Sequence, residues 1–552
     1  MGDTVRRRGG PADVRLLPAV IAGWAATWLG LSLPPGFTAA AGSAVGLGGV
    51  AGLIRAKRRL VAHPTQPEPW SSALCALLLV GAGLALSAAL HVAAGSSGPV
   101  PHLAAQSAFV GTTLTVTGDP RRVATRRPPD QLSGRNGLHG SAGSSALVLI
   151  PVRITLIVPE RGASDQPAYR VGTAATVLAL PRSQADLDAW LALLPSQHLS
   201  VFGRLEPPRG GTRDAALLVA HAAPKLIGGP SPVQRLAGRL RADLREAAAD
   251  LPAEEAGMLP ALTVGDISRE PTEPAEALKR TGLTYLTVVS GENLVFAMAA
   301  LLPVARWAGL RGRAVTAAGA VFVVGFTVLA RPGPPMVRAT VTSLLGCFAA
   351  LSGRRFRALA AMAGAVLVLL LVDPWLARSY GFALSVAATA GLLVAAPGWC
   401  DRLLDRGLPL WAAAPAAATA AAELFCEPLL VTFSGSLPLI AVPANVLAVP
   451  AAPVATVLGI GAMAADALSP ALGHAVAWVA QWPVRWICLV ARTGSAVPGA
   501  AIGWPRGLGG CGLLLACYAL AWRLLARTRR PAGAGGGSTP HARSSLDKIG
   551  LV

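Results

Sequence analysis

The chain has 552 residues, 53% of them apolar, and a mean hydropathy of +0.53, too high for a soluble protein and fitting a polytopic membrane one. The net charge of +20 comes from 48 basic against 28 acidic residues. It suits a polyanionic partner such as DNA or anionic lipid, and equally the arginine-rich inner loops of a membrane protein. The seven cysteines lie in or beside apolar stretches without a CxxC pair, so they read as small buried hydrophobes, not as a disulfide or metal framework.

Three apolar segments come first, near Val14–Leu33, Phe37–Ile54 and Ser72–Ala94, each close to the roughly 20 residues that a spanning helix needs. Arg6, Arg7, Arg8 and Arg15 precede the first, which reads as an uncleaved helix because further spans follow it. Arg55, Lys57, Arg58 and Arg59 separate the second from the third. By the positive-inside rule both clusters are cytoplasmic, and residues 1–95 form a three-helix anchor that leaves the chain outside.

Residues 96–228 change character: short β-branched alternating runs are bounded by Gly, Pro and Asp, the pattern of strands. Five such runs suit a small extracytoplasmic β-barrel of the OB-like type. Thirteen basic against eight acidic residues and few aromatics (Phe109, Tyr169, Trp190, Phe202) give DNA contact and a purely structural role equal standing. The loop around Arg121, Arg122, Arg126 and Arg127 is the place to look for such contact, although its Pro and Gly content also fits a disordered insertion running to Ser145. Within the 229–282 linker, Val233–Leu251 is amphipathic, with Leu236, Leu240, Leu244 and Leu251 near one face. It either lies on the membrane surface or packs against the barrel.

The stretch Gly257–Leu294 organises the rest. It is expected to start as a helix-breaking loop (Gly265, Pro271, Pro274), to pass through a short amphipathic segment and to enter an apolar helix carrying Ser290, Gly291, Glu292 and Asn293. A glutamate beside an asparagine inside an apolar span is a functional-site candidate. From Leu283 the expected spans are Leu283–Ala305, Ala314–Ala330, Met336–Leu351, Ala358–Val372, Tyr380–Pro397, Leu410–Phe433, Leu437–Ala462, Ala471–Ala491 and Leu508–Leu525. Residues 283–526 are thus a second membrane domain, which makes about twelve transmembrane helices with both termini cytoplasmic. Nineteen basic residues fall in inner loops and termini, Arg354, Arg355 and Arg357 among them, against five in short outer loops. Residues 527–552 read as a disordered tail.

Chemistry is sparse. There is no Walker A loop, and the eight histidines never pair as HxH, HxxxH or HExxH, so no cofactor, no metal site and no enzymatic activity are expected. The candidates are polar groups at membrane depth. Arg331 and Arg338 stand at the outer mouth, where they would meet phosphates or snorkel. Asp373, before Pro374, is placed to cap a helix. Glu423 and Glu427 share a helix face, and a membrane hydrolase built on them is the weakest alternative. Asn445 lies among Pro443, Pro450 and Pro453, which would break its helix into a pore wall. Asp466 and His474 read as structural.

Several motifs recur together: ALTVGD (Ala261–Asp266), KRTGLTYLTVVSG (Lys279–Gly291), VTGDP (Val116–Pro120), GRLEPP (Gly203–Pro208), Arg338–Ala339, VDPWLARSYGFALS (Val372–Ser385) and PANVLAVPAAP (Pro443–Pro453). In these the chain resembles the ComEC family of membrane channels that carry DNA into naturally competent bacteria. The likeness covers roughly Val110–Ala526. It departs at Tyr285, where the family usually has His, at Glu292, which many members lack, and at Glu423, usually neutral there. The resemblance implies a channel importing single-stranded DNA across the cytoplasmic membrane during natural transformation. Ser290, Gly291, Glu292, Asn293, Arg331, Arg338 and Asn445 are then the DNA-path candidates, with Glu292 paired to an arginine or protonated. Gly265, Asp266, Gly282, Tyr285, Asp373 and Pro374 would serve structurally. Single-stranded DNA, the bilayer, a DNA receptor, a separate nuclease and a cytoplasmic ATPase or DNA-binding protein are the implied partners, and a homo-oligomer is compatible with them. The metallo-β-lactamase-like nuclease domain of many members is not in this sequence. A polytopic transporter of a small molecule or lipid is the alternative.

Overall fold

The structure is a computed structural model and describes residues 16–62, 69–123, 147–159, 168–208, 213–287, 291–331, 333–352 and 358–528. Ser290, the arginines 6–8, 15, 126, 127, 354, 355 and 357 and the tail lie outside the described residues.

Three helices open the chain: α1 (Leu17–Gly30), α2 (Pro35–Ala62) and α3 (Pro69–Ser96). Pro18, in the first turn of α1, gives up an amide that has no helical partner there anyway. The short α4 (Pro99–Ala105) leads into the strands β1 (Phe109–Val116), β2 (Arg121–Val123), β3 (Leu147–Pro159) and β4 (Tyr169–Ala179). After α5 (Gln184–Leu191) come β5 (His198–Glu206), β6 (Ala216–Ala220) and β7 (Lys225–Gly228).

Five strands pair in a circuit: β1 with β3, β3 with β4, β4 with β6, β6 with β5, and β5 again with β1. Among the described strands only the β4–β6 pairing is parallel; α5 and β5 lie between those two strands in the chain, as a parallel connection requires. The sequence leads to five strands, and the circuit uses five; β2 and β7 are short additions on β3 and β5. The alternating burial along β1 and β5 follows the period-2 pattern and turns Leu114, Leu199 and Leu205 inward onto Trp190, all fully buried.

Helix α6 (Pro232–Ala247) starts where the Ser231 hydroxyl accepts the Gln234 amide. It packs on later helices of the chain, with Ala237, Arg241 and Leu244 buried and Leu236 58% exposed. Of the leucine stripe read from sequence, Leu244 and Leu251 are buried and Leu240 packs against the same core, while Leu236 is exposed and an arginine sits in the buried face. Residues 257–264, expected as loop, are helical and buried in α7 (Ala253–Val264), because the loop-forming signal belongs to Gly265 alone. Gly265 adopts φ 68° and closes α7 with amide bonds from Gly265 to Ala261 and from Asp266 to Pro260.

Helix α8 (Thr272–Arg280) ends before Gly282 at φ 74°, where a Cβ would stand 2.9 Å from Ala441. The chain then makes a 3-10 turn, Thr284–Leu286, and the described part of α9 (Gly291–Trp307) begins at Gly291. The single helix expected over Leu283–Ala305 is thus divided, and Gly291, Glu292 and Asn293 occupy the first described turn of α9 and not the middle of a span.

The remaining helices are α10 (Arg313–Leu329), α11 (Pro334–Leu351), α12 (Ala358–Val372), α13 (Tyr380–Val394), α14 (Ala396–Asp405), α15 (Leu410–Ser434), α16 (Ala441–Ala448), α17 (Ala451–Asp466), α18 (Pro470–Ala496) and α19 (Gly507–Thr528). Among the described residues five helices are long and apolar enough to cross a membrane, or seven if each bent pair counts as one span. The bent pairs are α13–α14 at 44° and α16–α17 at 45°; the second break falls at Pro450, where the prolines place it. Several apolar helices, α1, α10 and α12 among them, are shorter. The chain is a mostly helical membrane protein with a small sheet. Residues Glu427–Leu437 and 503–528 form a separate compact unit, packed through Val431, Leu437 and Leu514.

Candidate functional site

Asn445, in α16, has no solvent exposure. A buried carboxamide must find partners for both ends. Its oxygen accepts the Tyr285 hydroxyl at 2.6 Å, and its nitrogen donates to the Ala441 carbonyl at 2.9 Å and to Glu423 Oε1 at 3.3 Å. Glu292 and Glu423 both lie within electrostatic reach of the Tyr285 hydroxyl. Two of the positions where the sequence departs from the family pattern, Tyr285 and Glu423, therefore meet through one asparagine. Glu292 keeps an accessible face. Glu427, one helical turn beyond Glu423, has its own partner in the second unit, the Tyr518 hydroxyl.

Asn293 is 7% exposed and donates to the Leu262 carbonyl at 2.9 Å. That carbonyl is left over at the end of α7, since the Asp266 amide turns back to Pro260, and Thr456 also reaches it at 3.5 Å. Gly291 is a contact point between helices: a Cβ there would stand 2.9 Å from that of Ala339 and 3.7 Å from Arg338 Nη2. Arg338 is 6% exposed, and its Nε donates to Ser385 Oγ at 2.9 Å, which links the Arg338–Ala339 pair to the GFALS end of α13.

The charged candidates gather elsewhere. Asp266, 4% exposed, meets Arg245 Nη1 at 2.5 Å and Arg241 Nη2 at 3.5 Å. Arg241 also reaches Asp119 at 3.4 Å and donates to the carbonyls of Val264 at 3.1 Å and Leu329 at 3.2 Å. Asp119 in turn pairs with Arg331 Nε at 3.0 Å, and Arg331 donates to Gln234. Burial alone would raise the Asp266 carboxyl, but Arg241, the Ser268 hydrogen bonds and Arg245 together hold it below its ordinary value. Arg331 adopts φ 61°, a left-handed conformation that a non-glycine residue keeps only where its surroundings hold it. Asp373 caps the turn after α12 by accepting the Trp375 amide at 3.3 Å, with Pro374 following, and pairs with Arg213 at 3.0 Å.

Asp119 and Arg213 belong to the strand region, so their ion pairs with Arg241, Arg331 and Asp373 join it to the helices. Sequence reasoning missed Arg241 and Asp119 as partners of Asp266. The position of Arg241, four residues after Ala237 and three before Leu244, carried the signal. Asp466 packs against Gly473, and His474 meets Asp250 at 2.7 Å, both between helices.

Residues 262–530 match the family model described as Competence protein. The chain carries a competence-family domain of the ComEC type. Neither the curated proteins nor the solved structures gave a significant match. The competence domain contains the Asn445 cluster, the Gly291–Arg338 contact, Asp266 and Arg331. Arg241, Arg245, Asp119 and Arg213, which pair with its motif residues, lie before it in the chain.

Proposed function

We propose that this protein is the channel through which single-stranded DNA crosses the cytoplasmic membrane during natural transformation. The observation that carries the proposal is the competence domain over residues 262–530, which itself points to DNA uptake. In this reading the membrane region has about twelve spans and both termini are cytoplasmic. The strand circuit is an OB-like barrel outside the membrane, consistent with its antiparallel pairings and one parallel pair. The path runs beside the broken pair α16–α17, where backbone freed from helix bonding is tolerated at membrane depth only against protein or water. The chain acts without catalysis, alongside a DNA receptor, a nuclease that removes the other strand, and a cytoplasmic ATPase or DNA-binding protein. The test is a deletion strain in a naturally competent host given fluorescently labelled DNA. Surface binding should persist, while protected internal DNA and transformants disappear. Normal transformation would overturn the proposal, and a small-molecule or lipid transporter would give that result.

A further inference from the structure

The turn between α12 and α13 holds an arginine in an aromatic cup. Arg378 ends the 3-10 turn Pro374–Arg378, in which side chains three apart lie on one edge, so it shares an edge with Trp375. Its guanidinium carbon is 5.9 Å from the centre of the Trp375 ring and 5.9 Å from that of Trp28, in the last turn of α1. Both fall within the roughly 6 Å reach of a cation–π contact. Ser32, just past α1, accepts a hydrogen bond from Arg378 Nη2 at 2.6 Å. One helical turn before Trp28, Trp24 ties the two elements together: its Nε1 donates to the Ala377 carbonyl at 3.0 Å, and its ring packs on Phe382.

The cup orients the guanidinium without neutralising it. Among the described residues no carboxylate pairs with Arg378, Nη1 has no partner, and Nε is buried without one. The acid nearest in sequence, Asp373, is engaged by Arg213 and by the Trp375 amide. Two ring faces and one hydroxyl hold the planar fork in place, and a full charge is left for an anion. The surroundings indicate its kind. Trp28 and Tyr380 are exposed, as are Leu29, Leu371 and Val372 on the adjoining ends of α1 and α12. In a membrane protein, tryptophan and tyrosine at helix ends sit at headgroup level, and bare aliphatic side chains beside them face acyl chains. Asp373 pairs with Arg213 of the strand region, which puts the cup on that region's side of the bilayer.

We infer that Arg378, Trp28 and Trp375 form a headgroup site for an anionic phospholipid, with the phosphodiester on Nη1 and the acyl chains along the exposed aliphatic ends of α1 and α12. The lipid bridges the N-terminal helices, which lie before the matched residues 262–530, to the competence domain. A nucleic acid offers the same phosphate, but it has no acyl chains to cover Leu29, Leu371 and Val372. The inference needs only that the chain sits in a membrane, so it stands or falls apart from the DNA-channel reading.

The full chain in maltoside micelles is incubated with dioleoyl phosphatidylglycerol, dioleoyl phosphatidylcholine or dioleoylglycerol, and the lipids retained are counted by native mass spectrometry. The wild type should hold the first phosphatidylglycerol about tenfold more tightly than either other lipid, the scale of one charge-assisted hydrogen bond. Dioleoylglycerol lacks the phosphate, and the choline of phosphatidylcholine offsets its charge. Arg378→Gln should erase that preference. Trp28→Leu, at an exposed position that stays apolar, should reduce it several-fold, and it decides the matter if Arg378→Gln does not insert. Ser32→Ala removes a bond of the fold but no charge, so it should lower the melting temperature in lipid-free detergent and keep the preference. The inference fails if the wild type shows no preference, or if Arg378→Gln or Trp28→Leu keeps it whole. It fails also if Ser32→Ala loses the preference as fully as Arg378→Gln, which would make the effect structural. Displacement of the retained phosphatidylglycerol by oligo(dT) or by inorganic phosphate would likewise overturn it, assigning the cup to a soluble anion. Loss of uptake in the deletion strain would still uphold the channel reading in any of these cases.

Discussion

The two polar clusters in this molecule solve the same problem by different means. At the end of α7, Asp266 and Asp119 face Arg241, Arg245 and Arg331, so full charges are buried against full charges of the opposite sign. Around Asn445 the central group is neutral, and a tyrosine hydroxyl, a backbone carbonyl and a glutamate share its hydrogen bonds. The first cluster joins the strand region, α6 and the turn after α10, where segments of unlike kind must be held in one register. The second lies among apolar helices, where a lone charge has no cheap refuge and a neutral amide fits better. In these two clusters the ionic contacts tie the strand region to the helices, and the neutral amide serves a site among helices.

The strongest way to break this comparison is Asp266→Ala, which leaves Arg241 and Arg245 facing no carboxylate at that site. Removing one member of a buried ion pair costs about 3–5 kcal/mol, so membrane levels of the protein and its melting temperature in detergent should both fall sharply. The acid limb gives an independent check. Because Asp266 is held below its ordinary value, its stabilisation is complete above the unfolded carboxylate range near ~4 and is lost as pH falls through the lower folded value. Asp266→Asn should remove this group's share of the acid loss. An unchanged melting temperature in Asp266→Ala would mean that the network is ornamental.

Next in size is Asn445→Leu, which removes the acceptor of the Tyr285 hydroxyl from a buried site and should cost about 1–3 kcal/mol. Glu423→Gln keeps an oxygen that accepts the Asn445 amide, so it should cost less than about 1 kcal/mol. If the two substitutions prove equally damaging, the charge on Glu423 matters and the neutral character assigned to this cluster is wrong. Gly291→Ala tests the neighbouring helix contact. Its methyl would press on Ala339 at 2.9 Å, an overpacking cost of about 1–3 kcal/mol. Gly291→Leu should abolish DNA uptake while the protein still inserts; normal uptake would move the path away from α9.

What the sequence reveals of this divides along the same line. Local chemistry is legible: the strand runs, the turn at Gly265, the helix break at Pro450 and the capping role of Asp373 all follow from residues within a few positions of one another. Partners are not. Asp266 meets Asp119's partner Arg241 from across α6, and Tyr285 meets Asn445 at a separation of 160 residues; no periodicity encodes such pairings. Asn293 has a partner that is hidden in the same way: the Leu262 carbonyl it donates to is left over because α7 ends in a left-handed glycine turn. The short break after Gly282 was hidden by the apolar run of residues around it.

The smallest expected effect sharpens the comparison most finely. Arg213–Asp373 joins the strand region to the helices, as Arg331–Asp119 does, but its arginine side chain is 57% exposed against 11% for Arg331. Water and salt screen an exposed pair, and two side chains must be ordered to make it, so its worth is about 0–1 kcal/mol. Asp373 would also keep its hydrogen bond from the Trp375 amide without the arginine. Arg213→Gln should therefore leave the melting temperature nearly unchanged at 0.15 M salt and lower it slightly at about 0.01 M, where the Debye length is longer. Arg331→Gln should lower it at both. If Arg213→Gln destabilises as much as Arg331→Gln in high salt, burial is not what separates the two joints, and the exposed pair must be holding the strand region in place.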